Sequence, residues 1–300
     1  MKSFKIALVA SISLSLVACN KDEDIVIDNP GDNPQTPSVS LNYKVLEYTP
    51  GPGQYINEKA NGSAGISSPE EACLYAEKRL ANSDYVSLGA WGGYIIIKFD
   101  KSVPNTGEYD FAISSNTFDS SNEPGIVWVM QDTNGNGLAD ETWYELKGSF
   151  FGEEGYERNY WVRYSRPGDK EDTPWEDSNG ETGFVYWMGN YHDQDFYYPN
   201  WIKEDSYTLY GSRLPSRAEQ DDITGVWTNK AYEWGYADNL GSDFVEATHQ
   251  NRFKISDAVT ETNEAADLSS IDFVKVQTSI NGSTKLLGEN STEVMGFFPL

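Results

Sequence analysis

Cysteine and histidine are nearly absent from this 300-residue chain, which has two of each. That excludes a disulfide framework and any metal site built mainly from thiolates or imidazoles. Positive charge is also scarce: 22 Lys and Arg stand against 47 Asp and Glu, a net charge of −25. Such a chain is unsuited to nucleic acid or anionic lipid head groups and well suited to cations. No apolar run is long enough to span a bilayer. There is no Gly-x-Ser-x-Gly elbow, His-Glu-x-x-His pair, phosphate loop or dinucleotide fingerprint. Carboxylates are therefore the only catalytic candidates. Glu233 beside Trp234, and Asp238, lie in aromatic surroundings, yet nothing marks the paired carboxyls that a glycosidase needs. The expectation is a binding protein rather than an enzyme.

The N-terminus carries the clearest pattern. Lys2 and Lys5 precede a run from Ile6 to Val17 that is apolar or small apart from serines, and it reads as the apolar core of a signal peptide. It ends in Leu16-Val17-Ala18-Cys19, a lipobox, with residues 1–18 removed and Cys19 lipidated. Each buried lipid CH₂ adds about 0.8 kcal/mol, so several acyl chains hold a protein firmly at a membrane surface. Asn20-Lys21-Asp22-Glu23-Asp24 follows and resembles the lipoprotein export signal of Bacteroidota, which implies an outer-membrane protein facing the medium. Loss of Lys2 and Lys5 takes the charge from −25 to −27. With Cys19 modified, Cys73 is left alone and reads as a small buried hydrophobe.

Residues 19–40 read as the lipidated cysteine and an extended spacer, because Asn29-Pro30-Gly31-Asp32-Asn33-Pro34 cannot build a core. Residues 41–300 are expected to form a single domain. Nine Trp and nineteen Tyr exclude a disordered acidic chain. Ser68 as N-cap, Pro69 at the first helical position, and Glu70 and Glu71 in the first turn predict one helix ending near Asn82. Its apolar side is Ala72, Cys73, Ala76 and Leu80. Elsewhere short runs punctuated by Gly, Pro, Asn and Asp predict strands at 45–48, 94–99, 109–113, 125–130, 143–146, 160–164, 184–187, 207–209 and 273–278. Many strands and one short N-terminal helix predict a mainly β fold, an antiparallel β-sandwich or jelly roll with long aromatic loops.

The sharpest chemical pattern runs from Asp132 to Glu141. Asp132, Asn134, Asn136 and Asp140 fall at positions 1, 3, 5 and 9 of a calcium loop, Gly137 at position 6, and Leu138 offers its carbonyl at position 7. Position 12 is Trp143 rather than glutamate, so the expectation is either that Glu141 or Glu145 replaces it or that affinity is weaker. Calcium is the expected cofactor, in a structural role.

A second pattern is aromatic. Trp187, Tyr191, His192, Tyr197, Tyr198, Trp201 and the later Trp234 are the candidate ligand-binding residues. Flat rings with polar edges suit sugars and corrinoids. Asp, Asn and Pro around Trp187, Tyr191, Tyr197, Tyr198 and Trp201 predict that these rings are exposed. Trp175 is read as part of the same loop-like region. His192 could ligate a metal, although a lone polar-loop histidine is ordinarily solvated. Arg213 and Arg217 are expected to form local ion pairs.

Several segments together resemble a Bacteroidota family of outer-membrane "cell surface" lipoproteins. They include Val45-Leu46-Glu47-Tyr48-Thr49-Pro50-Gly51-Pro52-Gly53, Ser87-Leu88-Gly89-Ala90-Trp91-Gly92-Gly93-Tyr94, Glu123-Pro124-Gly125-Ile126-Val127, Trp234-Gly235-Tyr236-Ala237-Asp238-Asn239 and Ser291-Thr292-Glu293-Val294-Met295-Gly296. The resemblance implies an accessory protein that captures a scarce nutrient and passes it to a TonB-dependent transporter. Cobalamin or a related corrinoid is the first expected ligand. A calcium-dependent glycan-binding protein or glycoside hydrolase, and a structural or adhesive surface protein, are the alternatives.

Overall fold

A computed structural model describes residues 40–300 apart from 221 and 224. The signal sequence, Cys19 and almost all of the spacer lie outside the described residues. The fold is mainly β, with antiparallel sheets packed as a sandwich. Its centre is a six-stranded sheet ordered Tyr43–Thr49, Tyr94–Pro104, Ser270–Thr278, Gly125–Met130, Tyr144–Leu146 and Ala258–Val259. Alternation puts Val45, Ile95, Ile97, Val127, Val129, Val274 and Val276 on one face, all essentially inaccessible to water. That face packs against a four-stranded sheet, ordered Phe244–Val245, Gln250–Phe253, Phe111–Ser114 and Gly296–Pro299, through Phe111, Ile113, Phe253 and Phe297.

The helix spans Pro69–Ala81 and closes the same core with Ala72, Cys73, Ala76 and Leu80. Ser68 Oγ caps it by accepting from the Glu71 amide at 3.2 Å. A second four-stranded sheet is ordered Ser206–Arg213, Glu157–Ser165, Thr173–Asp177 and Thr182–Val185. Its inner face builds a separate core of Tyr160, Val162, Tyr164 and Leu209 with Ala90, Trp91, Tyr197 and Tyr198. Gln277 joins this sheet to the central one, its side-chain amide donating to the Gly92 and Tyr210 carbonyls at 2.8 and 3.0 Å.

Expected strands shift where a side chain takes a backbone partner. The Tyr109 run starts its ladder only at Phe111, because Asp110 Oδ1 accepts from the Thr106 amide and Oδ2 from the Ile255 amide. The Phe184 run stops at Val185, because the Tyr186 and Trp187 amides donate to Ser283 Oγ and Asp172 Oδ1. Trp175, read as a loop residue, lies in the Thr173–Asp177 strand. Among the described residues no helix is long and apolar enough to cross a membrane.

Candidate functional site

The loop from Asp132 to Glu141 joins two neighbouring strands of the central sheet, Gly125–Met130 and Tyr144–Leu146. Its side chains fold inward in the order that the spacing predicts. Asp132 Oδ2 accepts from the Gly137 amide at 2.9 Å, Asn134 Oδ1 from Asn136 at 2.8 Å, and Asn136 Oδ1 from Leu138 at 2.7 Å. Gly135 and Gly137 take left-handed φ values of 71° and 76°, which let the chain turn this tightly. Glu141 reaches back so that Oε1 accepts from the Thr133 and Asn134 amides at 3.0 and 3.1 Å. Asp132 Oδ1 and Glu141 Oε2 are buried without a hydrogen-bond partner. These orphaned oxygens, with Asn134, Asn136, Asp140 and the Leu138 carbonyl, form an all-oxygen set of the kind that could hold a calcium ion. Glu145 is not part of it. Its carboxylate is buried elsewhere, accepting from the Tyr156 and Ser212 hydroxyls at 2.5 Å each, with Arg158 at 3.7 Å.

A second oxygen cluster was not legible in the sequence. Carboxylate oxygens of Glu123, Asp238 and Glu293 all lie within 4.8 Å of one another. Glu123 leads into the Gly125–Met130 strand, Asp238 sits in the 232–243 loop with φ 55°, and Glu293 belongs to the short Glu293–Val294 strand. Asp238 and Glu293 are 1% and 5% exposed. Two backbone amides hold the acids in place: Ser291 donates to Glu123 Oε1 at 3.1 Å and Glu293 to Asp238 Oδ2 at 2.9 Å. Among the described residues no ion pair reaches any of the three. Burial pushes the Asp238 carboxyl up to about 8. Burial first, then the neighbouring acids, hold Glu123 and Glu293 well above the usual carboxylate range. At an effective dielectric near 20, each ionised pair at this spacing repels by about 3 kcal/mol.

The 232–243 loop is braced by buried amides. Asn239 Oδ1 accepts from the Tyr232 amide at 2.8 Å, Asn239 Nδ2 donates to the Tyr232 carbonyl at 2.9 Å, and Asn251 Nδ2 donates to the Asn239 carbonyl at 2.7 Å. The loop thereby presents Trp234, 37% exposed, at a cavity of about 330 Å³. Lys147, Arg252 and Lys254 line this cavity together with Asp243 and Asp257. Arg252 lies over the Tyr109 ring at 4.2 Å and Lys254 at 5.2 Å. Arg252 Nε and Asp243 Oδ1 are buried and lack hydrogen-bond partners. Lys147, Arg252 and Lys254 outnumber Asp243 and Asp257 in this lining, so the recess can receive an anionic group beside the Trp234 ring.

The other predicted ligand residues divide. Tyr191 is 82% exposed and Trp187 half-buried. Tyr197, Tyr198 and Trp201, expected on the surface, are 1%, 0% and 5% exposed. Asn57 causes part of this, since its side-chain amide donates to the Phe196 and Tyr198 carbonyls at 3.0 and 2.7 Å and folds the segment inward. Trp201 packs against Tyr48 with centroids 6.0 Å apart. His192 is not simply solvated: its Nδ1 lies 2.8 Å from Glu58 Oε1 and its ring meets Tyr55 edge-on at 4.9 Å. Arg213 pairs with Glu157 at 3.0 Å as expected, whereas Arg217 donates to the Ala231 carbonyl at 2.6 Å and covers the Tyr232 ring. Glu233 is exposed.

Lys275 was also missed. It stands on the opposite face of the central sheet among the rings of Trp128, Tyr94 and Trp143, at 4.6, 5.7 and 5.7 Å. Burial pushes its amine down to about 8, with Glu47 and Glu145 acting in the other direction. The signal for Lys275 was a charged residue inside an otherwise apolar strand-like run, Phe273-Val274-Lys275-Val276. No protein-family model matches the chain, and no curated protein does.

Proposed function

We propose that this chain is a lipid-anchored binding protein of the bacterial outer surface, and that it captures a flat-faced, anionic nutrient ligand for a TonB-dependent transporter. The observation that carries the reading is the Trp234 cavity, which Lys147, Arg252 and Lys254 line. A ligand carboxylate or phosphate would pair with these cations while Trp234 covers an adjacent ring. Cobalamin carries both a phosphodiester and flat ring systems, and it remains the first candidate. The cavity is far smaller than a corrinoid, so it would take the phosphate-bearing edge and leave the remainder outside. An acidic glycan is the second candidate.

Calcium in the Asp132–Glu141 loop is structural in this reading. The ion would tie two strands of the central sheet together, and the lipid on Cys19 would keep the domain at the surface. Calcium at extracellular concentrations suffices for a loop of modest affinity. The tri-carboxylate cluster is no glycosidase pair in this account, because Asp238 and Glu293 are buried, at 1% and 5% exposed. Calorimetry of the mature chain against cobalamin and a panel of neutral and acidic glycans tests the proposal. Binding of an anionic member, weakening as salt rises, is expected. A flat response to every ligand, or equal binding of neutral and acidic glycans, contradicts it.

A further inference from the structure

Three acids from distant parts of the chain meet in the interior, and among the described residues no ion pair reaches them. Glu123, Asp238 and Glu293 approach within 4.8 Å. Asp238 is 99% buried, being 1% exposed, yet its Oδ1 has no hydrogen-bond partner. The Ser115 hydroxyl and the Thr117 amide also lie against the Asp238 carboxylate, neither in full hydrogen-bond geometry, and the Asn116 side chain lies against Glu293. The Ser291 and Glu293 amides each occupy one carboxylate oxygen of the cluster, on Glu123 and Asp238. Were all three ionised, negative charge would face a common centre with no ion pair to balance it. Buried charge of this kind is ordinarily paired or bound to a metal.

We propose that Glu123, Asp238 and Glu293 form a second cation site, separate from the Asp132–Glu141 loop, and that it takes calcium. The donor set consists of carboxylates with a serine hydroxyl nearby, and it holds no nitrogen or sulfur. Hard oxygens select calcium or magnesium over zinc or copper. The three donors come from separate segments with different backbone constraints, which suits calcium's tolerance of irregular geometry better than magnesium's octahedron. Glu123 is only partly buried and gives the ion its route in. The ion would fasten the 232–243 loop to the strands on either side, and that loop carries Trp234 and Asp243 to the cavity.

The test is calcium stoichiometry on the full mature chain, stripped with chelator and retitrated by calorimetry, with bound metal counted by mass spectrometry. Wild type is expected to bind two ions. Asp132→Ala, which disables the loop, should keep one and should retain a melting temperature that falls on adding chelator. Asp238→Asn should also keep one. If Asp238→Asn does not fold, Glu123→Gln at the partly exposed acid replaces it, with at least a tenfold weakening of one of the two sites expected. Loss of all calcium in Asp132→Ala overturns the proposal. So does unchanged stoichiometry and affinity in the cluster variants. One ion in wild type, kept by Asp132→Ala and lost with the cluster acid, upholds this site and removes the loop instead.

Discussion

The Asp132 carboxylate closes its loop on the Gly137 amide, 2.9 Å away, and leaves its second oxygen buried with nothing to bind. Lys98 stands 3.4 Å from the engaged oxygen and partly balances the charge at the rim. The loop is therefore shaped without an ion, and a calcium ion binding there would stabilise the folded chain. At calcium one hundred times its dissociation constant, that stabilisation is about 2.7 kcal/mol.

Asp132→Ala should lower the melting temperature in calcium and lose most of that deficit in chelator, where wild type falls toward the variant. Differential scanning calorimetry with and without chelator measures both. A wild type that ignores chelator would remove calcium from the account.

Gly235 carries the cavity loop past Gly148. Its φ is 89°, and a Cβ there would lie 2.4 Å from the Gly148 Cα. Gly62 has nearly the same φ, 87°, but open space around it. Gly62→Ala should therefore cost only the left-handed strain, about 1–2 kcal/mol. Gly235→Ala should cost more, roughly 3 kcal/mol, because backbone must also move. Urea unfolding of the pair reads the difference, and equal costs would show that the close approach to Gly148 does not matter.

Trp201 belongs to the core, packed on Tyr48. Trp201→Ala should cost about 3–5 kcal/mol of stability. Any ligand affinity that the folded fraction retains should be unchanged. Chemical denaturation paired with calorimetry separates the two effects. A large loss of affinity at normal stability would return Trp201 to the binding surface.

What was legible in the sequence is what local chemistry decides. Ser68, Pro69 and the two glutamates mark the helix start within four residues, and the helix runs Pro69–Ala81 as expected. Gly125–Met130 was legible to the residue, because turn-forming residues bracket a β-branched run. Tyr197 and Tyr198 were misread because Asp195, Pro199 and Asn200 look like loop punctuation. The residue that turns those rings inward is Asn57, some 140 positions away. The acid cluster has the same origin. Glu123, Asp238 and Glu293 become neighbours only after three segments have paired, and one-dimensional spacing carries no trace of that. The Asp132–Glu141 loop lies at the other extreme, with every candidate donor inside ten residues.

Lys275 gives the fold a pH dependence whose sign is fixed. Its folded-state pKa, pushed down to about 8, lies below the ordinary lysine value near 10.5. Between those values the unfolded chain binds more protons than the folded one, so this group makes stability rise with pH across that window. Lys275→Met should remove the rise. The stability difference between wild type and variant should therefore shift in favour of wild type from pH 8 toward pH 10, measured by urea unfolding. A pH-independent difference would place the amine in water.

The central claim is that the Trp234 cavity, lined by Lys147, Arg252 and Lys254, receives the ligand. The most direct test is a side-by-side titration of Trp234→Ala and Tyr191→Ala with the tightest-binding member of the ligand panel. Both residues are exposed, so both variants should fold with near-normal stability. Trp234→Ala is predicted to lose about 2 kcal/mol, roughly thirtyfold in affinity, while Tyr191→Ala loses almost nothing. Unchanged affinity in Trp234→Ala, or a larger loss in Tyr191→Ala, would contradict the account.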